Sequence, residues 1–201
     1  MGYADLLRAR FPDLNPVVDD LFLLEAHQIG ELTRRVPASD LGVVLRAHPL
    51  LHRFLVTRCP EAREPFDQML AHQPDVAVDD VAACEQAVVW EVADWIVYQR
   101  APQDYDTHAG VDWSIAAVTQ VTTLTDKVVI DAGAGTGRVA FDAAPMARHV
   151  FAVEPVATLR QFIRDRAARR HVHNLFVLDG FLHAIPLPTS STDVLLTCQA
   201  V

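Results

Sequence analysis

The chain has 201 residues, of which 51% are hydrophobic and 21% charged, so it can bury a core as one domain or as one domain with a substantial appendage. It has no uncharged apolar run of about 18 residues and no apolar secretory segment near the N-terminus, which argues against a membrane partner. Cys59, Cys84 and Cys198 lie far apart without a CxxC pair, which predicts reduced thiols and favours a cytoplasmic location.

The net charge of −9 is concentrated in the first part of the chain. Residues 1–126 contain 9 arginines against 20 aspartates and glutamates, which argues against a nucleic-acid partner. The second part has one cluster of basic residues, Arg164, Arg166, Arg169 and Arg170. A solvated helix face explains this cluster more simply than an RNA site does.

Residues 1–101 are predicted to form an all-α N-terminal domain, a lid, acceptor or oligomerisation element. Asn15 and Pro16 can start a helix over residues 17–36, and Pro49 and Pro60 can each start a shorter one. Asp79 or Asp80 can cap a long helix over residues 81–100. Residues 102–126 are polar and turn-like, which predicts a linker followed by a first covering helix.

After residue 126 the hydrophobic pattern changes to short apolar runs that alternate with helical segments. Strands are predicted over 128–132, 149–154, 174–179 and 193–201, and helices over 136–147 and 155–170. This alternation is typical of a parallel sheet with right-handed crossovers. The fold class predicted for residues 127–201 is therefore α/β, a Rossmann-like parallel sheet with helices on both faces.

A glycine-rich loop, Asp131-Ala132-Gly133-Ala134-Gly135-Thr136-Gly137, stands where the first strand passes into a helix. No lysine follows Gly137, so the loop is not a nucleoside-triphosphate P-loop. A dinucleotide loop would need its third glycine at position 138, where the chain has arginine. Asp131 would repel a phosphate-rich ligand, and it suits a ligand with a cationic end.

The D-x-G-x-G-x-G pattern resembles motif I of class I S-adenosylmethionine-dependent methyltransferases. Glu154 ends the second strand where that family binds the ribose hydroxyls, and Asp179 ends the third strand where it binds the adenine amino group. The resemblance implies S-adenosylmethionine as cofactor and S-adenosylhomocysteine as product. The residues that it implies for the cofactor are Asp131, Ala132, Gly133, Gly135, Gly137, Glu154, Pro155, Asp179, Gly180, Phe181, Cys198 and Gln199.

The segment AIPLPTSSTDVLLTCQAV resembles the ubiquinone/menaquinone-biosynthesis-like subgroup (methyltransferase type 11), although Thr192 stands where that subgroup usually has an aromatic residue. The resemblance implies the strand order 3-2-1-4 with the later strands missing, as in a C-terminally truncated member. The fourth strand would then be an apolar edge, which the helical first half or a second copy in a homodimer could cover.

The resemblance further implies methyl transfer to a small-molecule acceptor by in-line displacement. No general base and no other catalytic residue can be identified from the sequence. One alternative is a non-catalytic protein that uses the fold to bind S-adenosylmethionine or a partner. A second alternative is an NAD-dependent oxidoreductase, which the position of the third glycine argues against.

Several other residues have simpler interpretations than a functional site. Tyr105 and His108 can close over the cofactor, but a polar linker with a buried tyrosine explains them more simply. His171, His173 and His183 lack the spacing of a zinc site, so no metal is expected. Cys198 has no base beside it, so a buried thiol is favoured over a nucleophile.

Overall fold

The structure is a computed structural model that describes residues 2–71, 78–108 and 114–198. The chain divides into two compact units, Met1–His108 and Ala109–Val201. Within the described residues, no helix is both long and apolar enough to cross a membrane.

The first unit is helical throughout its described residues. Its helices are α1 (Tyr3–Arg10), α2 (Ala26–Arg35), α3 (Ala38–Ala47), α4 (Pro49–Arg58), α5 (Arg63–Ala71), α6 (Val78–Glu91), α7 (Ala93–Arg100) and α8 (Pro102–His108), with 3-10 helices at Val18–Leu23 and Pro60–Ala62. Pro49 and Pro60 occupy the first turns of their helices, as predicted. A proline is tolerated there because the first turn leaves backbone N–H groups without intrahelical partners.

The structure differs from the sequence prediction where long helices were expected. The segment 17–36 is interrupted at Leu24, because the Gln28 side chain accepts a hydrogen bond from the Glu25 backbone N–H and starts α2 there. The segment 81–100 is interrupted at Val92, whose backbone leaves the helical region between α6 and α7. Residues 102–108, predicted as the start of a polar linker, form α8 within the first unit.

A charged cluster joins α1, α2 and α7 inside the first unit. The Arg35 guanidinium donates to the Asp94 carboxylate at 2.7 Å and to the Glu91 carbonyl at 2.8 Å. The Tyr3 hydroxyl also donates to Asp94, and Arg35 lies 4.5 Å from the centre of the Trp95 ring. Because the Arg35 and Asp94 side chains are only 24% and 12% exposed, loss of one partner leaves the other as an uncompensated charge.

Arg35→Ala is therefore expected to lower the free energy of unfolding of the first unit by about 3 kcal/mol. Arg34→Ala is the matched control, because Arg34 is the neighbouring arginine on α2 but is 77% exposed and pairs with Glu31 on the same helix. Its effect is expected to stay within about 0.5 kcal/mol. Urea unfolding followed by fluorescence measures both, and equal effects of the two variants would contradict the assignment.

The second unit contains the predicted parallel sheet. Its elements are α9 (Ile115–Thr119), β1 (Val128–Ala132), α10 (Arg138–Ala143), β2 (His149–Val153), α11 (Ala157–Arg169), β3 (Leu175–Leu178) and β4 (Val194–Thr197). The strands lie in the order β3-β2-β1-β4 and every pair is parallel, so the predicted order is confirmed. α10 is shorter than predicted because the glycine loop continues to Gly137.

Alternate residues of the strands pack into two separate core clusters. Val129 and Val150 share one cluster with residues of α9, α10 and α11. Ile130 and Val153 point to the other cluster, where Leu187 packs against them. The strand β1 is therefore buried on both sides, which explains its nearly continuous apolar sequence.

Residues at the start of β4 set its register against β1. The Asp193 carboxylate accepts a hydrogen bond from the Val128 N–H at 2.8 Å, and the Asp193 N–H donates to the Val128 carbonyl. The Thr192 hydroxyl donates to the same carbonyl, so this threonine has a structural use that an aromatic residue could not supply. Leu195 in the outer strand β4 is about half exposed, and whether a second copy covers this edge stays a prediction.

Candidate functional site

Three carboxylates lie at the same edge of the sheet. Asp131 is near the end of β1, Glu154 directly follows β2, and Asp179 directly follows β3. Because the strands are parallel, their carboxyl ends meet at one edge, which is where ligands bind in open α/β sheets. The structure thus places together three side chains that are distant in sequence.

The glycine loop turns back at this edge through left-handed backbone conformations. The φ angles of Gly133, Gly135 and Gly137 are +72°, +56° and +82°. A side chain at Gly137 would also lie 3.1 Å from Ile163. Only glycine adopts such φ angles at little cost, which accounts for all three glycines.

Glu154 connects the loop to the end of β2. Its Oε2 accepts a hydrogen bond from the Gly135 N–H at 2.7 Å, and its Oε1 accepts one from the Val156 N–H at 2.9 Å. The residue is buried. Backbone donors to a carboxylate are charge-assisted and strong, so Glu154 fixes the shape of the loop.

Asp131 lies beneath the loop and is only 1% exposed. Its Oδ2 accepts a hydrogen bond from the Ala140 N–H at 2.9 Å, which holds α10 against β1. The pKa of Asp131 is raised to about 7, chiefly by burial; the Ala140 hydrogen bond lowers the pKa and the nearby Glu154 charge adds a smaller increase. Its direct contact with a cofactor stays a prediction.

The segment after β3 depends on Gly180. A Cβ at this position would lie 2.7 Å from Pro186 and 3.0 Å from Val153, so any side chain would displace the turn that follows. Gly180 is therefore required for the packing of this turn, and its contact with a cofactor stays a prediction. Phe181 stacks on His183 with ring centres 5.4 Å apart, and its place against an adenine ring also stays a prediction.

Two arginines of α11 were not recognised as site residues from the sequence. Arg160 donates through Nη1 to the carbonyl oxygens of Glu154 and Pro155 and to the Asp179 carboxylate. Arg166 donates to the carbonyl of Thr136 within the glycine loop and lies 4.6 Å from the centre of the Phe162 ring. The spacing of Phe162 and Arg166, one helical turn apart, is the sequence signal that could have indicated this second contact.

The sequence predicts that the basic cluster of Arg164, Arg166, Arg169 and Arg170 is a solvated helix face. The structure shows instead that most of these side chains contact the rest of the protein. Arg166 is buried, and both Arg166 and Arg170 lie over the Phe141 ring. Arg164 donates to the Val177 carbonyl of β3. Three of the four arginines therefore pack against the protein itself, because a guanidinium stacks on aromatic faces and saturates carbonyl groups.

The positions of the remaining predicted site residues do not test whether they contact a cofactor. Ala132 is buried at the end of β1, Pro155 accepts the Arg160 hydrogen bond, and Cys198 is a free, partly buried thiol. Gln199 lies outside the described residues. The contacts of all four residues with a cofactor stay predictions. Tyr105 packs on Tyr98 within the first unit, in agreement with a buried tyrosine.

The histidines are also accounted for by their surroundings. His171, His173 and His183 are exposed. In the part of the chain that the structure describes, no three His, Cys, Asp or Glu side chains are grouped closely enough to hold a metal ion.

The chemistry of this edge suits S-adenosylmethionine. The ligand has a cationic sulfonium, to which a carboxylate is electrostatically complementary, and a ribose diol and an adenine amino group, which are donors that suit carboxylate acceptors. Asp179 is 70% exposed and can accept from a ligand, whereas Asp131 and Glu154 are buried and act also through the loop that they hold. The residues present therefore fit the cofactor, with one acceptor exposed and two buried.

A comparison with protein-family models assigns this part of the chain. Residues 130–201, about a third of the chain, match the model described as "Methyltransferase domain". The second unit thus has the Rossmann-like fold of a class I methyltransferase domain. The match begins at Ile130 in β1 and includes the glycine loop and all three carboxylates.

Solved structures also resemble part of the chain. YcgJ from Bacillus subtilis is 21% identical with a TM-score of 0.40, and the match covers 42% of this chain and 36% of YcgJ. Phosphoethanolamine N-methyltransferase 1 from Haemonchus contortus, solved with phosphoethanolamine and S-adenosylhomocysteine, is 27% identical with a TM-score of 0.37 and coverages of 40% and 17%. A SAM-dependent methyltransferase from Aquifex aeolicus is 21% identical with a TM-score of 0.38 and coverages of 41% and 46%.

The chain spans less than half the length of each of these three structures. At TM-scores below 0.5, these likenesses carry no conclusion about the substrate of the methyltransferase domain. No match was found among curated proteins.

Proposed function

We propose that the methyltransferase domain binds S-adenosylmethionine at the carboxyl edge of the sheet and transfers its methyl group to a small-molecule acceptor. The observation that carries this proposal is the grouping of Asp131, Glu154 and Asp179 around a loop of three left-handed glycines. An edge lined by carboxyl groups favours a ligand with hydrogen-bond donors and a cationic centre. The family match over residues 130–201 supports the same ligand.

S-adenosylmethionine supplies an activated methyl group on a sulfonium, so the protein has mainly to orient the two reactants and exclude water. The glycine loop and Asp131 hold the methionine part, Glu154 holds the ribose, and Asp179 with Phe181 holds the adenine. Glu154 also fixes the loop through the Gly135 N–H, so that the binding surface exists before the ligand arrives. In-line displacement then requires that the acceptor atom approach the methyl carbon from the side opposite the sulfur.

A small-molecule acceptor is favoured over a nucleic acid by the use of the basic residues. Arg166 and Arg170 lie over Phe141, and Arg164 is hydrogen-bonded to β3, so the cluster is not arranged as a phosphate-binding surface. The strongly acidic composition of residues 1–126 points the same way.

Titration calorimetry of the 201-residue chain with S-adenosylmethionine, S-adenosylhomocysteine and NADH tests the cofactor. Binding of the first two at micromolar dissociation constants, without binding of NADH, is the expected result, and binding of NADH alone would contradict the proposal. Methyl-tritiated S-adenosylmethionine incubated with small amines, phenols and thiols, and separately with RNA, then tests the acceptor. Labelling of RNA alone would overturn the small-molecule assignment, and binding without any transfer would favour a non-catalytic protein.

A further inference from the structure

The Arg160 side chain joins the ends of β2 and β3 through a single nitrogen atom. Its Nη1 lies 2.9 Å from the Glu154 carbonyl oxygen, 2.6 Å from that of Pro155 and 3.0 Å from Asp179 Oδ1. The Arg160 side chain is 12% exposed, whereas that of Asp179 is 70% exposed. The arginine is thus fixed by backbone atoms, and Asp179 is its solvent-facing partner.

This arrangement restricts a carboxylate that would otherwise rotate in water. An exposed side chain must lose rotamer freedom when a ligand orders it, and that loss weakens binding. The charge-assisted hydrogen bond from Arg160 orients Asp179 before a ligand binds. With Oδ1 directed to Arg160, the carboxylate keeps lone pairs for a second donor, because two oxygens together accept about four hydrogen bonds.

The second donor has a definite chemistry if the proposed function holds, on which this inference rests. The adenine amino group of S-adenosylmethionine is a hydrogen-bond donor, and Asp179 is the acceptor assigned to it. We propose that Arg160 is a positioning residue that holds the Asp179 carboxylate for this amino group and thereby sets the selectivity for adenine. Arg160 does not contact the ligand itself, and it acts through Asp179.

S-inosylhomocysteine is the probe that separates this role from a general structural one. It has a carbonyl oxygen in place of the adenine amino group, so it presents an acceptor to the Asp179 carboxylate. The ratio of its dissociation constant to that of S-adenosylhomocysteine measures recognition of the base edge that carries the amino group, where N1 also changes from an acceptor to a donor. A loss of loop structure would weaken both ligands together and leave this ratio unchanged.

The experiment is calorimetric titration of both ligands into the wild-type chain, Arg160→Ala, Asp179→Ala, the double variant and Arg164→Ala. We expect the wild type to prefer S-adenosylhomocysteine by at least about 10-fold and Asp179→Ala to lose most of that preference. Arg160→Ala is expected to lower the ratio by about 3-fold to 10-fold, and the double variant is expected to match Asp179→Ala, because Arg160 acts through Asp179. Arg164→Ala, on the same helix but bonded to Val177, is the matched control and keeps the wild-type ratio.

An unchanged ratio in Arg160→Ala, with wild-type binding intact, would overturn this inference and leave the proposed function standing. An equal decrease in Arg164→Ala would overturn it as well. Absence of S-adenosylhomocysteine binding by the wild type would overturn the proposed function and this inference with it. If circular dichroism shows that Arg160→Ala does not fold, Arg160→Lys takes its place. Lysine keeps the charge but lacks the planar guanidinium, so Arg160→Lys is expected to lower the ratio partly.

Discussion

Glu154→Gln is expected to weaken S-adenosylhomocysteine binding by about 10-fold to 100-fold. Both oxygens of Glu154 accept from backbone N–H groups, at Gly135 and Val156. Glutamine has one acceptor and one donor, so its amide NH₂ would face one of these N–H groups. A buried N–H would then lose its partner, and the glycine loop would lose the contact that shapes it.

Calorimetric titration of the variant measures this effect. Asp165→Asn is the matched control, because Asp165 is an exposed acid of α11 that accepts a hydrogen bond from Gln161 on the same helix. We expect Asp165→Asn to bind as tightly as the wild type. Wild-type affinity in Glu154→Gln would show that the loop does not depend on this carboxylate.

Asp131→Asn is expected to make the protein more stable than the wild type at alkaline pH. Burial raises the pKa of Asp131 from 3.8 to about 7, so the folded protein keeps a proton that the unfolded chain releases between these two values. The contribution of Asp131 to the free energy of unfolding is greatest below about pH 4 and falls as the pH rises to about 7, by about 4 kcal/mol in total. Asparagine does not titrate, and it can still accept from the Ala140 N–H.

The measurement is the difference in unfolding free energy between Asp131→Asn and the wild type at pH 5 and at pH 8. From pH 5 to pH 8, the unfolding free energy of Asp131→Asn is expected to rise by about 2–3 kcal/mol relative to that of the wild type. Asp193→Asn is the control, because the Val128 N–H lowers the pKa of Asp193 and its contribution changes only at more acidic pH. An Asp131→Asn difference that stays constant from pH 5 to pH 8 would show that Asp131 is ionised throughout.

The strands could be predicted because their signals are local, whereas their order is implied by the resemblance to class I methyltransferases. Each of β1, β2 and β3 is a short apolar run that ends at or just before an acid, and Asp131, Glu154 and Asp179 mark these ends in the sequence. The glycines likewise indicate positive φ angles at their own positions. Patterns of this kind depend on neighbouring residues, which the sequence displays directly.

The contacts of the charged side chains could not be predicted in the same way. Arg160 and Arg166 appear in the sequence as polar residues of a surface helix, and only the fold brings them to Asp179 and to Thr136. The break of the first long helix at Leu24 depends on a capping contact from Gln28, which competes with continued helix in a way that periodicity does not show. The burial that raises the pKa of Asp131 is also a property of the packed sheet.

Amide hydrogen exchange of the 201-residue chain, with and without S-adenosylhomocysteine, tests the central claim most directly. Ligand at the carboxyl edge is expected to slow exchange at residues 133–137 of the glycine loop and at residues 179–181 after β3. Both segments are expected to respond together, because Glu154 and Arg160 tie them to the end of β2. Binding that slows exchange elsewhere in the chain, and in neither of these segments, would contradict the assignment of the cofactor to this site.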